Sequence, residues 1–493
     1  MKISPITKYL LLLAITLFLF YPALNNFYTH DDFFNFRISN ATSSKQFLSF
    51  FDPIHAPEGW GFYRPLTTQA LYFAVRHLFQ FNPVAAHLLA LGMFLVVCFM
   101  VYKLLLLLTE NKKQSLFGLF LYATSASHFT HLYSIANQEL GHTIFYLGAV
   151  LAFSKFLKER KSSFYFLSLA AFLGSLMSKE LAVTLPFILI LVYAYYYLNG
   201  KILLKMKEFV RVIIPFFVIL GVYGYLHVFY YGLPKGDSYI WSISVRTAIN
   251  SLFWYALWAV NIPKMLADFI GPGLHFNPNL FKYWSGQIIP IFILFAILSL
   301  LILTMSFITF KKNKKKDWLL YGFSAVWFPL ILSPVIFLQW HKFWEYLTLP
   351  LIGVVLVLSR LIVNTQNFLK KKKYSLFSKL LPIFFLTIFI VQSKLTLDLA
   401  RQTEWTTTGA QVAKRVYNYF QSNKESLMGK TIVFYDTAED KNLPFAPTAT
   451  LKDVLSDNNF FEVFYEGNIK AIYGGATNDK NKVMIKSRQF LGY

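Results

Sequence analysis

Several short segments of this chain hold side chains able to move a proton or grip a phosphate. HDDFFNF places Asp31 and Asp32 side by side. Adjacent carboxylates repel, and a bound cation or a raised pKa relieves the repulsion. One of the pair is therefore a candidate general base. With Glu139, both are candidate ligands for a divalent cation, magnesium or manganese. At a helix boundary the same pair also serves as a plain cap. YRPLTTQALYF holds Arg64 ahead of Pro65. An arginine fork suits phosphate, although an arginine at a membrane edge also snorkels with no further role. SASHFTHLYSIANQEL contributes His128, His131 and Glu139, each costly against lipid and each a candidate acceptor or metal contact. SKELAVTLP adds Lys179, a candidate phosphate ligand, and Glu180, which either pairs with that lysine or meets an acceptor. LQWHKFWEYLTLP adds His341 and Lys342 as phosphate candidates and Glu345 as a further acidic contact.

The elements that position these residues are apolar. Of 493 residues, 56% are hydrophobic and only 14% charged, with mean hydropathy +0.47. A soluble chain of this size could not hide so much apolar surface. Runs long enough to cross a bilayer fall near 9–27, 84–108, 115–135, 140–157, 162–178, 181–198, 210–231, 287–310, 318–338, 343–363 and 375–397. This reads as an all-α polytopic membrane protein with about eleven transmembrane helices. The first run lacks a small-x-small cleavage site, so it reads as a retained signal anchor.

The net charge of +23 sits in short clusters between the runs, among them Lys2 and Lys8, Lys112 and Lys113, 155–161, 201–211, 311–316 and 370–379. That is the mark of cytoplasmic loops rather than of nucleic-acid binding. It puts the N-terminus inside and the chemistry-bearing segments at the outer face. Two outer loops are long, 28–83 and 232–286. In the second, 248–270 is apolar enough to span, but one crossing there would put every later lysine cluster outside. It therefore reads as a helix in the outer interface. Beyond the transmembrane part, 1–397, residues 398–493 read as a small extracytoplasmic α/β domain. Its strands are expected at 431–436, 469–474 and 482–487, and its helices at 404–421 and 447–456, with Thr450 a candidate cap of the second. The single cysteine, Cys98, excludes an intramolecular disulfide and a cysteine zinc site.

The Asp-Asp pair after the first run, YRPLT, ASHFTH–QEL and SKELAVTLP together resemble the GT-C superfamily of membrane glycosyltransferases, and most nearly its protein O-mannosyltransferase and TMTC-like branch. The resemblance covers roughly residues 1–200, with a looser echo at 333–355. It implies transfer of a sugar from a polyprenyl-phosphate donor to a protein, glycan or lipid acceptor on the outer face of a plasma (inner) membrane. It implies Asp31 or Asp32 as the base, Arg64 and Lys179 as donor-phosphate contacts and Glu139 as a second polar contact. The chain departs from that branch in having neither tetratricopeptide repeats nor a β-trefoil-sized insertion, which leaves the acceptor and the metal requirement open. A transporter or flippase of lipid-linked sugars is the alternative. It would want midspan acids and paired broken helices, which the sequence lacks.

Overall fold

A computed structural model describes residues 5–54, 62–135, 138–202, 204–232, 239–310, 314–475 and 477–492. Lys2, Lys311 and Lys312 of the charge pattern lie outside the described residues, as do parts of both long loops. The first part of the chain is helical: α1 (Pro5–Phe20), α2 (Asp31–Ile38), α3 (Ser44–Ser49), α4 (Leu71–Phe79), α5 (Pro83–Thr109), α6 (Lys112–Ala123), α7 (Phe129–Tyr133) and α8 (Glu139–Glu159). There follow α9 (Ser162–Leu176), α10 (Leu185–Leu198), α11 (Met206–Leu226), α12 (Val245–Ala259) and α13 (Leu266–Phe269). A two-residue ladder, β1 (Ile270–Gly271) with β2 (His275–Phe276), precedes α14 (Asn279–Phe310), α15 (Lys315–Leu332), α16 (Leu351–Lys371) and α17 (Ser375–Thr403).

Among the described residues, seven helices are long and apolar enough to cross a membrane: those at 83–109, 139–159, 180–198, 206–231, 279–310, 351–371 and 375–403. The apolar helices at 9–25 and 162–176 are shorter. Helix starts follow local chemistry. Asn82 caps α5 by accepting from the Val84 and Ala85 amides, with Pro83 in the first turn, where a missing N–H is harmless. Asn111 caps α6 in the same way.

Three expected spans are interrupted or cut short. The run 115–135 is helical only to Ala123; a turn at Ala126–His128 then leads into the short α7. The break persists because Asn261, far along the chain, accepts from the Ala126 amide at 2.8 Å. Irregular backbone inside an apolar bundle survives only when its polar groups find such partners. Likewise α15 stops at Leu332 and α16 begins at Leu351, so the expected turn at 339–342 widens into an irregular segment holding a short turn at Trp344–Leu347.

The C-terminal elements are α18 (Trp405–Ser422), α19 (Lys424–Leu427), β3 (Thr431–Tyr435), α20 (Pro447–Val454), α21 (Asn459–Tyr465), β4 (Lys470–Tyr473) and β5 (Lys482–Lys486). The strands form a parallel sheet in the order β4-β3-β5, with Ile432 opposite Ala471 on one side and Val483 on the other. α21 was not expected; in NFFEVFY the apolar residues crowd every face. Thr450 is not a cap, since α20 starts at Pro447 and the Thr450 hydroxyl bonds back to the Ala446 carbonyl. A boundary at 397 falls inside the unbroken α17. The sheet and its helices share one core with α2 and α4, through Phe33, Phe36, Tyr72 and Val75 packed with Phe434, Phe460 and Phe461.

Candidate functional site

The site is assembled by turns at helix ends. After α1 the chain reaches His30, whose φ of 51° lies in the left-handed region, and Asp31 and Asp32 then open α2. Consecutive residues on a helix point about 100° apart, so the two carboxylates diverge. Asp32 turns inward and is 1% exposed. It accepts from the Thr29 amide at 2.9 Å and the Tyr72 hydroxyl at 2.6 Å. Asp31 turns the other way, into a cavity, and no described residue hydrogen-bonds its carboxylate.

YRPLTT and SKELAVT fold against each other. The Leu66 amide donates to the Met177 carbonyl, and the Thr67 hydroxyl to the Ser178 carbonyl at 2.7 Å. Pro65 opens a wide turn whose amides at Thr67 and Thr68 return to the Arg64 carbonyl. Gly141, in the first turn of α8, permits the close approach: a Cβ there would stand 2.6 Å from Thr67 Cγ2. Lys179 is extended, with φ −162° and ψ 147°, so it and Glu180 point in opposite directions. They do not pair with each other. Lys179 pairs with Glu139 at the start of α8, and its ammonium lies over the Tyr346 ring at 4.5 Å. Glu180 receives Arg64 through Nε at 2.9 Å and Nη2 at 2.5 Å, while Arg64 Nη1 donates to Gln138 at 3.2 Å. The Arg64 guanidinium also stacks over Phe62 at 4.0 Å.

The segment between α15 and α16 closes the site. His341 Nε2 meets the Tyr346 hydroxyl at 2.8 Å. Glu345 presents a buried Oε2 with no hydrogen-bond partner among the described residues. Together Asp31, Arg64, Lys179, His341 and Glu345 line a cavity of about 150 Å³, with Gln138, Thr130, Ser134, Tyr239, Phe343, Tyr346 and Trp405. Ligand pockets usually span about 300–1,000 Å³, so this volume admits the reacting part of a substrate rather than the whole of one.

The other expected residues lie elsewhere. Glu139 and Glu180 stand behind the cavity as partners of its two cations. His128 and His131 form a second layer, with Nδ1 of the first 3.0 Å from Nε2 of the second and His128 Nε2 held by the Tyr122 carbonyl. Lys342 points away to Asn250 at 3.0 Å. A cation shared by Asp31, Asp32 and Glu139 does not match this geometry, because Asp32 is occupied by Tyr72 and Glu139 by Lys179. Among the described residues no cluster of three or more His, Cys, Asp or Glu could hold a metal ion. Reading from sequence missed Tyr239 and Trp405. Nothing local marks either, since each arrives from a distant segment.

Electrostatics sort the roles. Protein packed around Asp31 raises its pKa above the ordinary carboxylate value, against the pull of Arg64, although the residue is itself exposed to solvent, which tempers the shift. Burial would lower the Arg64 pKa, but the Glu180 carboxylate outweighs burial and fixes the charge. Burial, then Lys179 and Arg64, push His341 down to about 4. It is neutral near pH 7 and acts as a hydrogen-bonding ring rather than as a cation. The arrangement thus offers carboxylate oxygens of Asp31 and Glu345, unpartnered among the described residues, beside two cations held in fixed directions by their own acids. No family model matches the sequence, and no curated protein matches it either.

Proposed function

We propose that the protein is a membrane glycosyltransferase that takes a sugar from a polyprenyl-phosphate donor and passes it to a hydroxyl acceptor. The observation that carries this reading is Asp31: a carboxylate unpartnered among the described residues, facing the same small cavity as Arg64 and Lys179, where long apolar helices end. In this reading about eleven helices cross a plasma (inner) membrane. The N-terminus is cytoplasmic, and the site and residues 398–493 face outward.

The chemistry needs few parts. The acceptor oxygen bonds to the anomeric carbon as the bond from that carbon to the phosphate oxygen breaks. Asp31 takes the hydroxyl proton, and polyprenyl phosphate leaves as a stable anion, so no general acid is required. A single displacement by an acceptor activated by Asp31 implies inversion at the anomeric carbon, by analogy with hydrolases. Arg64 and Lys179 are each neutralised by an acid, so their contribution is direction rather than net charge. Glu180 occupies the Nε and Nη2 edge of the Arg64 fork, and Nη1 donates to Gln138, which lines the same cavity. Lys179 donates one of its three N–H groups to Glu139 in a hydrogen bond. The small cavity suits the sugar–phosphate junction, with the prenyl chain left to the bilayer.

The test is incubation of purified protein with a panel of polyprenyl-phosphate sugars, scoring release of polyprenyl phosphate. Release by the wild type and its loss in Asp31→Asn is the expected result. Movement of the intact donor across vesicles without release would replace this reading with a flippase.

A further inference from the structure

A second and larger cavity lies at the far end of the bundle. α16 begins beside the Asp31 site and runs for 21 residues, roughly 30 Å, before reaching it. This cavity measures about 860 Å³, between the end of α14, the start of α15 and the last turns of α16. Six cations line it: Lys314, Lys316, Arg360, Lys370, Lys371 and Lys372. Asp317 is the acid among the described lining residues, and it is already bound to Arg360 and to the Lys314 amide.

Clustered lysines alone need only water, and positive loops are ordinary at one face of a membrane protein. Two features go beyond that. Arg360, Asn364, Asn367 and Lys371 recur at helical spacing and all line the cavity, so one polar stripe of α16 faces it. Below them Arg360 Nη1 donates to Gln114 Oε1 at 3.1 Å, while Gln114 Nε2, in a fully buried side chain, has no partner among the described residues. Gln114 lines a smaller cavity of about 90 Å³ that shares Lys316 and Arg360 with the larger one. Arginine, amide and lysine donors around one concavity suit an anion with several acceptor oxygens, and basic pockets between membrane helices bind phosphate headgroups.

We propose that this cavity is a binding site for a phosphate-bearing anion, supplied by a lipid headgroup or by a soluble phosphate compound. The proposal is independent of glycosyl transfer. The experiment titrates inorganic pyrophosphate into the full-length protein in phosphatidylcholine nanodiscs, with calorimetric readout. Lys316→Gln/Lys370→Gln/Lys371→Gln should weaken binding at least about tenfold. Lys315→Gln/Lys373→Gln/Lys379→Gln removes the same charge from exposed positions outside the cavity and should leave the affinity near wild type. Phosphatidylglycerol in the nanodisc distinguishes the sources: competition with pyrophosphate assigns the site to a lipid headgroup, and unchanged pyrophosphate affinity assigns it to a soluble phosphate. Absence of saturable binding to the wild type, or equal weakening by both triple variants, overturns the proposal and leaves the lysines as a solvated cluster.

Discussion

Asp31 and Asp32 are chemically identical neighbours that the fold sends to opposite environments, so their amide variants should fail in different ways. Asp31→Asn should lower turnover by roughly 10²-fold, the scale of losing a general base. It should keep the fold, because nothing described hydrogen-bonds that carboxylate. Desolvation raises its pKa, so the folded state disfavours its ionised form; above the unfolded pKa the charge costs stability, and the cost eases as pH falls through the folded value. The variant should therefore melt no lower than wild type at pH 7. By the same shift, the acid limb of the pH–kcat profile should lie above the ordinary aspartate value of 3.8. Asp32→Asn should do the reverse, losing about 1–3 kcal/mol of stability as one acceptor of the Thr29 amide and Tyr72 hydroxyl becomes a donor. Its folded fraction should turn over at near the wild-type rate. Denaturant melts beside single-turnover rates check both, and equal losses of turnover would show that the pair acts as a unit. Glu180→Gln should destabilise by roughly 3 kcal/mol, since it strands an Arg64 side chain only 10% exposed beside a neutral amide. The same denaturant melts test it, and an unchanged midpoint would mean that water reaches the guanidinium.

At the scale of elements, the C-terminal helices position the Asp31 turn. The His30 amide donates to the Val454 carbonyl at the end of α20, and Trp405, at the start of α18, packs edge-on against the His30 ring at 4.9 Å. α18 comes so close that a Cβ on Gly409 would stand 2.6 Å from His30 Cε1 and 2.7 Å from Thr29 Oγ1. Gly409→Ala should push that pair aside and break their 2.7 Å hydrogen bond. Small displacements of a catalytic group are expensive, so kcat should fall about tenfold with the donor KM nearly unchanged. An unchanged kcat would mean that the turn absorbs the methyl group. None of this docking was legible in the sequence. The strands were legible, because TIVFYD, IKAIYG and KVMIKS are short β-branched runs between turn residues. Hydropathy located the apolar runs but carried them through the breaks after Ala123 and Leu332, where composition stays apolar while the backbone stops being helical. The partner that permits the first break, Asn261, lies more than a hundred residues away. The site segments could be picked out by residue type; the divergence of Asp31 from Asp32, and the crossed pairing of Lys179 and Glu180, depend on backbone direction that no local pattern reports.

For the whole molecule, α16 joins two ends of opposite character. One end meets the small cavity of Asp31, where each cation already has an acid; the other meets the large cavity, where six cations face one paired acid. On the proposed topology the lysine-rich end lies on the cytoplasmic side, as lysine-rich loops of membrane proteins usually do. Cysteines at positions 373 and 480, introduced one at a time into Cys98→Ser protein, test it. Both positions are exposed, and the Cys98 they replace as the reactive thiol is buried. Between them lies α17, 29 residues long and one of the seven helices able to cross. A membrane-impermeant maleimide should label Lys480→Cys in intact cells and reach Lys373→Cys only after permeabilisation. The reverse pattern would put the lysine cavity outside and the Asp31 site in the cytoplasm. Labelling of both in intact cells would mean that α17 does not cross, and the eleven-span arrangement would fall with it.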